Sequence, residues 1–453
     1  MESGRDGCRG HPLPPPDPLP RRNDAGPPLK TSEEGSPMRR REEARGTPPL
    51  TRTSRRGLSN GLKILLLCEG DAETRDSWSG VSRSVVIHLR ARGHEVLSGD
   101  VDLYGAPRWL NALRTLRPSL PRWRMRYRLH GPSFRARSRI AERHLAGAPG
   151  DIDLILQVGA TFRVADPGAR PLVLYCDSNI ELSRSGVPTG YSEAAFLSPG
   201  EIEAIREREA SIYRRADLIF TMSDRLRDSF IQDFQVAPER LVTLHCGPNI
   251  SLDETPTTPP IRGPEPTILF VGRDFHRKGG DLLLDAFQRV RRRLPEARLL
   301  MVGPGERPGI PEGVQMWGFQ DRDTPEGRTA MDRAYRSARV FCLPTRFEPF
   351  GTSFIEAMAY QLPCVGPRAW AVPEIIRDGE TGLLVPSEDP AALAEALVQL
   401  LSDDALTLRM GQAARRRALE RFTWPAIISR MEASLTPLLQ DRGGPEGERS
   451  RFA

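Results

Sequence analysis

Lysine is almost missing from this sequence, although the chain is basic. It occurs only at Lys30, Lys63 and Lys278, and the formal net charge of +6 rests on arginine. The six cysteines show neither short paired spacings nor a metal-ligand pattern, which excludes a fold held by zinc or disulfides and indicates a reducing compartment. No run approaches the roughly 18 apolar residues of a membrane span, and the start lacks the apolar core of a signal peptide. We therefore expect a cytoplasmic protein.

The first 60 residues differ in composition from the rest. Segments such as HPLPPPDPLPRRNDAGPPLK are rich in proline and arginine, contain few aliphatic residues and show no periodicity. Such a segment cannot bury enough apolar surface to offset the entropy of ordering it. We predict a disordered tail over residues 1–60 and a flexible tail over residues 441–453.

Between the tails, short apolar runs alternate with longer helical stretches. LKILLLCEG is a continuous apolar run that ends in glycine, which is typical of a parallel strand buried on both faces. The alternation stops in the Pro- and Thr-rich PNISLDETPTTPPIRGPEP and restarts at TILFVGR. This pattern predicts an α/β fold of two doubly wound domains, residues 61–250 and 265–422, joined by a linker at 251–264. Such domains bind ligands at the carboxyl ends of their strands, so two facing domains share a cleft.

Two cations follow the first strand of the second predicted domain. The loop after TILFVG supplies Arg273 and Lys278 before a helix begins at Gly279. Arginine offers a planar fork and lysine a compact point charge, so the two together suit a diphosphate. The alternative is a turn that carries solvated basic residues.

Two acids, Glu348 and Glu356, lie around a predicted helix start in RFEPFGTSFIEAMAYQLPCV. Gly351 and Thr352 open that helix, whose free amide groups and dipole attract an anion such as phosphate. Carboxylates near a phosphate need neutral partners, and the vicinal diol of a sugar or ribose meets that need. The alternative for Glu356 is an acid that stabilises the helix dipole by about 0.3 to 1 kcal/mol.

The spacing Glu348-x7-Glu356, with FVGRDFHRKGG upstream and VPEIIRDGETGLLVPSEDPAALAEAL downstream, resembles the retaining glycosyltransferases of the GT-B fold, of the family 4-like type that makes bacterial polysaccharides and glycolipids. The resemblance runs from about Leu62 to Leu439. It implies two Rossmann-like domains and a final helix, residues 423–440, that crosses back to the first domain. The apolar positions of that helix share one face.

The resemblance also implies roles for individual residues. The catalytic set is Arg273 and Lys278, which neutralise the donor diphosphate, and Glu348, which holds the donor sugar. Glu356 would hold the ribose hydroxyls. The remaining residues implied for nucleotide-sugar binding are Gly80, Phe350, Gly351 and Thr352.

Two positions bear on the acceptor. Asp177, at the end of the strand PLVLYC, is a candidate acceptor contact or base, and the alternative is a loop or capping aspartate. Relatives usually have a glycine pair where this chain has Ala369-Trp370-Ala371, which leaves the acceptor specificity open. No cofactor and no metal is expected besides the nucleotide-sugar co-substrate. The DVD, DID and DRD triplets are too short to indicate a metal-dependent transferase.

The segment from Gly105 to His144 contains eleven arginines and one acid, Glu142, so it carries about +10 and the remainder about −4. Aromatic residues lie among these arginines. Anionic headgroups attract such a segment by about 1 kcal/mol per basic residue, and interfacial aromatics anchor it. We predict that this segment makes a peripheral contact with the anionic inner face of a membrane. The alternatives are a solvated helical face and nucleic acid, and the second is not expected because no nucleic-acid fold accompanies the charge.

The function expected is transfer of a sugar from a UDP- or GDP-sugar to a hydroxyl of a glycan or lipid-linked acceptor, with retention at the anomeric carbon. Preorganised cations would stabilise the leaving group. Two rivals remain open: a nucleotide-sugar epimerase of the same fold, which needs no acceptor, and a non-catalytic sugar-binding scaffold.

Overall fold

The computed structural model describes residues 61–74, 77–252, 255–257 and 265–441. The tail predicted over residues 1–60 and nearly all of the tail predicted over 441–453 lie outside the described residues, as does most of the predicted linker.

The first half of the described chain forms a six-stranded parallel sheet with the order β2-β1-β3-β4-β5-β6. Its strands are β1 (Lys63–Cys68), β2 (Glu95–Asp100), β3 (Leu154–Val158), β4 (Leu172–Cys176), β5 (Leu218–Thr221) and β6 (Leu241–Thr243). The helices are α1 (Val81–Ala91), α2 (Gly105–Thr115), α3 (Leu120–Leu129), α4 (Gly131–Gly147), α5 (Ile180–Ser185), α6 (Pro199–Tyr213) and α7 (Asp224–Phe234). The apolar runs become strands because both faces of the sheet are covered: β3 and β4 are buried at every position.

The second half forms another six-stranded parallel sheet with the order β12-β11-β10-β7-β8-β9. Its strands are β7 (Thr267–Val271), β8 (Arg298–Val302), β9 (Val314–Gly318), β10 (Val340–Cys342), β11 (Cys364–Pro367) and β12 (Gly382–Val385). The helices are α8 (Gly280–Arg293), α9 (Pro325–Ser337), α10 (Thr352–Ala359), α11 (Val372–Ile375), α12 (Pro390–Ser402), α13 (Asp404–Arg421) and α14 (Trp424–Asp441).

Both strand orders reverse direction once. The first sheet reverses between β1 and β3, and the second reverses between β7 and β10. Loops that leave neighbouring strands on the two sides of such a point diverge and open a crevice at the carboxyl edge. The crevice of the second sheet is therefore flanked by the loops after β7 and β10, which carry Arg273, Lys278 and Glu348.

Helix α14 returns to the first half of the chain and packs against α1. The indole Nε1 of Trp424 donates to the carbonyl of Pro248 at 2.9 Å, and Glu432 accepts from Arg92 at 2.6 Å. The apolar face predicted for this helix is buried, namely Ile427, Ile428, Met431 and Leu435. Among the described residues, no helix combines the length and the apolar character that crossing a membrane requires.

The arginine-rich segment folds as α2, α3 and α4. Three of its arginines turn inward to acids: Arg126 pairs with Glu201, Arg128 with Glu193 at 2.6 Å, and Arg137 with Asp102 at 3.0 Å. The outer side of α2 behaves differently, because large apolar residues are exposed there. Their exposed fractions are 58% for Tyr104, 71% for Trp109, 71% for Leu113 and 57% for Leu116.

Candidate functional site

The loops after β7 and β10 are joined by direct contacts at the crevice of the second sheet. The amide of Arg346 donates to the carbonyl of Arg277 at 2.8 Å, and the Arg277 guanidinium donates to the carbonyl of Phe347 at 3.0 Å. Lys278 reaches across the same gap and pairs with Glu348. The sequence motifs that supply these residues are about 70 positions apart, so parallel strand pairing of β7 with β10 brings them together.

The Lys278–Glu348 pair is largely shielded from solvent. The side chains are 13% and 8% exposed. Burial lowers the pKa of the Lys278 ammonium, and the neighbouring Glu348 carboxylate opposes that shift. A buried ammonium with one carboxylate partner retains capacity for further acceptors, because it has three donor hydrogens.

Helix α10 begins beside this pair. Gly351 precedes the helix at a φ of 117°, which favours glycine, and a Cβ there would lie 3.3 Å from the Cγ of Glu348. Thr352 is the first residue of the helix. The Phe350 side chain is buried and stacks on His245 with ring centroids 6.0 Å apart, so this residue can meet a ligand only through its backbone.

Glu356 lies one turn into α10 and is surrounded by donors. Arg322 donates from Nη1 to Oε1 and from Nη2 to Oε2, both at 2.7 Å, and the Tyr335 hydroxyl donates to Oε2 at 2.8 Å. The amide of Asn249, from the segment after β6, donates to Oε1 at 3.3 Å. Burial alone would raise the pKa of Glu356, but Arg322, Tyr335 and the amide of Asn249 together outweigh it and hold that pKa below its usual value.

Arg273 lies at the same edge of the sheet with its guanidinium over an aromatic ring. Its Cζ is 3.8 Å from the ring centroid of Phe319, which follows β9 and is 53% exposed. This cation–π contact holds the positive charge of Arg273 at the carboxyl edge of the second sheet.

The first sheet contributes Gly80 and Asp177. Gly80 caps α1 at a φ of 83°, a conformation that glycine adopts without strain. Burial raises the pKa of Asp177 to about 6, and Arg128 opposes that shift. A carboxyl group that titrates near neutrality is suited to proton transfer.

Contacts between the two halves join the segment that follows α5 to the loop that carries Glu348. The ring of Phe347 packs on Gly186, where a Cβ would lie only 2.7 Å from the ring, and the Arg346 guanidinium lies 5.3 Å from the ring centroid of Tyr191. On its other side Phe347 meets Trp370, with ring centroids 4.9 Å apart.

Trp370 stands where a glycine was expected, and it has a φ of 60°. Its ring lies 5.2 Å below the guanidinium of Arg225, the second residue of α7. Glu374 accepts from the amides of Asp224 at 2.7 Å and Arg225 at 2.9 Å, so α11 caps a helix of the first half.

Sequence reasoning missed several residues of this region. It considered Arg322 only as part of the DRD triplet, and it gave no role to Tyr335, Phe319 or Arg128. An arginine followed by an acid 34 positions later carries no sequence signal, because the pairing depends on how the loop after β9 folds over α10. Among the described residues, no group of three or more His, Cys, Asp or Glu side chains is arranged to hold a metal ion.

Comparison with known proteins gives three findings. Residues 265–403 match the family model described as "Glycosyl transferases group 1". Over 174 residues the chain is 40% identical to the phosphatidyl-myo-inositol mannosyltransferase of Mycobacterium leprae, covering 36% of this chain and 45% of that protein. Over 258 residues it is 29% identical to the D-inositol 3-phosphate glycosyltransferase of Corynebacterium diphtheriae, covering 51% and 59%. The chain thus spans about half the length of these curated relatives.

The likeness to solved structures extends further along the chain. Sucrose-phosphate synthase from Thermosynechococcus elongatus superposes with a TM-score of 0.59, covering 84% of this chain and 99% of that one at 20% identity. At this identity the likeness is one of fold, and it confirms the predicted two-domain α/β architecture of the GT-B class.

Proposed function

We propose, from the premise that residues 265–403 form a group 1 glycosyltransferase domain, that this chain transfers a sugar from a nucleotide diphosphate donor to an acceptor hydroxyl. The donor is a UDP- or GDP-sugar, the anomeric configuration is retained, and no metal ion takes part. The observation that carries the proposal is the Lys278–Glu348 pair beside the start of α10, at the crevice of the second sheet.

In this proposal the Lys278–Glu348 pair stabilises the diphosphate leaving group. When the glycosidic bond of the donor breaks, negative charge develops on the phosphate oxygens, and a fixed ammonium beside a helix N-terminus lowers the energy of that charge. The ammonium of Lys278 is already desolvated and oriented by Glu348, so little reorganisation is needed. Arg273 would join it on the diphosphate by leaving its stack on Phe319.

The two glutamates are proposed to bind the uncharged hydroxyl groups of the donor. Glu348 would accept hydrogen bonds from the sugar hydroxyls and Glu356 from the ribose, while the backbone at Phe350, Gly351 and Thr352 contacts the sugar and Gly80 leaves room for the donor on the first sheet. Asp177, with its pKa raised to about 6, is the acceptor-side group proposed to contact or deprotonate the acceptor hydroxyl.

The acceptor proposed is a hydroxyl of a lipid-linked or glycan molecule. The names of both relatives contain a phosphorylated inositol, one free and one in a phospholipid, which supports a polyol acceptor that carries a phosphate.

A lipid-linked acceptor lies in a membrane, so the proposal also needs a surface that contacts a membrane, and the outer side of α2 is suited to this. Trp109, Leu113 and Leu116 are spaced i, i+4 and i+7, so they share one face, and all three are more than half exposed. Arg108, Arg114 and Arg117 are exposed around them. An apolar face bordered by cations complements the interface of a bilayer that contains anionic lipid. We therefore define these six residues as the α2 surface and propose that it rests on such a membrane.

The test of the proposed function is the Lys278→Met variant, with Lys63→Met as the matched control. Lys63 is the other lysine of the described residues and pairs with Asp151 at 2.9 Å near the opposite, amino-terminal edge of a sheet. We expect Lys278→Met, assayed well below its melting temperature, to lower kcat by about a hundredfold or more, the effect of losing one preorganised charge. Its thermal stability should also fall, because the largely buried carboxylate of Glu348 loses its cation. Lys63→Met should retain the wild-type rate. Equal kcat in all three proteins would refute the role of Lys278.

Two further readouts separate the rivals. Conversion of a UDP- or GDP-sugar to its epimer without any added acceptor would favour the epimerase. Binding of nucleotide sugar without turnover on any acceptor would favour the scaffold. The anomeric configuration of the product tests retention: a β-linked product from an α-linked donor would exclude it.

A further inference from the structure

The carboxylate of Glu356 already has four hydrogen-bond donors. Arg322 supplies two, Tyr335 one and the amide of Asn249 one, so each carboxylate oxygen accepts two hydrogen bonds. A carboxylate offers about four lone-pair positions in total. A ribose diol cannot be added to this arrangement and has to replace part of it.

Arg322 is the donor that can leave. Tyr335 is 1% exposed and Glu356 2% exposed, so both are fixed inside the second half of the chain. Arg322 extends inward from the loop between β9 and α9, where Asp321 and Asp323 are exposed, and its own side chain is 19% exposed. Rotation of this side chain towards solvent would release the pair while Tyr335 and Glu356 keep their places on α9 and α10.

The exchange is balanced in hydrogen bonds but not in charge. A guanidinium edge presents two parallel N–H groups to a carboxylate, and a vicinal diol presents two O–H groups to the same two oxygens. Both partners make charge-assisted hydrogen bonds because the acceptor is a carboxylate, but only the guanidinium adds the attraction between two opposite charges in a site shielded from water. The diol therefore replaces a stronger partner, and the affinity for the nucleotide falls by the difference.

We propose that Arg322 is a determinant of nucleotide affinity, because it occupies Glu356 until the ribose of a nucleoside diphosphate displaces it. This inference rests on the proposed function, since it takes Glu356 as the group that holds the ribose. In the free protein the buried carboxylate of Glu356 is then fully paired. A nucleotide with an intact ribose diol binds more weakly than it would if Glu356 were unoccupied, because it must first displace Arg322.

The experiment measures the Kd of UDP and of GDP by calorimetry for the wild type and for Arg322→Met, which keeps the length of the side chain and removes the donors. We expect the better-bound nucleotide to bind about tenfold more tightly to Arg322→Met, within the usual range of coupling between two sites. Its 2′,3′-dideoxy form should show no gain. Arg333→Met is the matched control, because Arg333 lies on α9 over the ring of Trp317 and does not contact Glu356.

The outcomes are distinct. An unchanged or higher Kd in a folded Arg322→Met protein overturns the inference, as does an equal gain for the dideoxy form. If that variant does not fold, Arg322→Lys, which keeps the charge but loses the second parallel bond, should bind nucleotide more tightly by a smaller factor, and weaker binding would overturn the inference. Binding of neither nucleotide to any variant would refute the proposed function itself, whereas normal dependence on Lys278 with no effect of Arg322 would refute only the inference.

Discussion

The buried carboxyl groups of this molecule differ in whether a cation lies beside them. Glu356 and Glu348 have cationic partners, whereas Glu209, on α6, forms no ion pair with any of the described residues and accepts from the amide of Ile180 at 2.9 Å. Burial raises the pKa of Glu209 to about 8 despite that hydrogen bond. The difference follows from the cost of placing an unpaired charge in a dry interior.

Replacing Glu209 by glutamine should remove a pH dependence of stability. The folded protein keeps the Glu209 proton up to about pH 8, while the unfolded chain loses it near the ordinary value of 4.5. The folded state therefore binds more protons in this window, and its stability falls as pH rises from 4.5 to 8. We expect Glu209→Gln to be more stable than the wild type at pH 9 by about 1 to 3 kcal/mol. Urea midpoints at pH 5, 7 and 9 check this.

Glu207→Gln is the control for that measurement, because Glu207 lies on the same helix and is exposed. It should follow the wild-type pH dependence. A parallel decline of Glu209→Gln and the wild type between pH 5 and 9 would contradict the prediction.

At the scale of elements, α2 is the clearest departure from ordinary packing. A surface helix normally turns its apolar side to the core, yet Trp109 and Leu113 are each 71% exposed. The buried positions of this helix are the polar residues Asn111 and Thr115, and Ser133 donates to the side-chain oxygen of Asn111 at 2.8 Å. The helix is thus held by a polar contact on its inner side and leaves its apolar side uncovered.

The α2 surface should bind vesicles that contain anionic lipid. We expect co-sedimentation with phosphatidylglycerol–phosphatidylcholine vesicles at low salt and loss of binding at high salt, because screening weakens the arginine contribution. Trp109→Ser with Leu113→Ser should lower the partition coefficient about tenfold or more, since each side chain contributes roughly 1.5 to 3 kcal/mol when buried. Leu408→Ser with Leu419→Ser, two exposed leucines on α13, serves as the control. Equal binding of both double variants would exclude this surface.

At the scale of the whole molecule, a few contacts fasten the two sheets to each other. Trp424 donates to Pro248, is 4% exposed and stacks on His88 of α1 with ring centroids 5.9 Å apart. Glu374 caps α7, and Asn249 reaches Glu356. The exchange proposed at Glu356 would therefore change a hydrogen bond with Asn249, in the segment that leads out of the first sheet.

Trp424→Ala should destabilise the protein by about 3 to 5 kcal/mol, because it removes a buried indole that both halves contact. Trp424→Phe keeps the ring and loses the hydrogen bond, so it should cost only about 1 kcal/mol. Thermal unfolding followed by circular dichroism measures both. Equal melting temperatures for Trp424→Ala and the wild type would show that α14 does not secure the two halves.

The sequence was sufficient for the architecture but not for the pairing of charges. The strands were predictable because parallel strands buried on both faces read as continuous apolar runs, as in β1 and β4. The loops of Lys278 and Glu348 were predictable because parallel topology places carboxyl ends at one edge. The Arg322–Glu356 pair and the stack of Arg273 on Phe319 were not, because both depend on the course of one irregular loop after β9.

The scarcity of lysine makes the Lys278–Glu348 pair unusually easy to observe. Of the three lysines, two lie in the described chain, and Lys63 is held by Asp151 at the other edge of its sheet. An acylating reagent that labels primary amines therefore has few targets, and peptide mass spectrometry can follow Lys278 individually. Shielding of that amine by a nucleotide, while Lys63 is still labelled, would serve as a footprint of site occupancy that requires no knowledge of the acceptor.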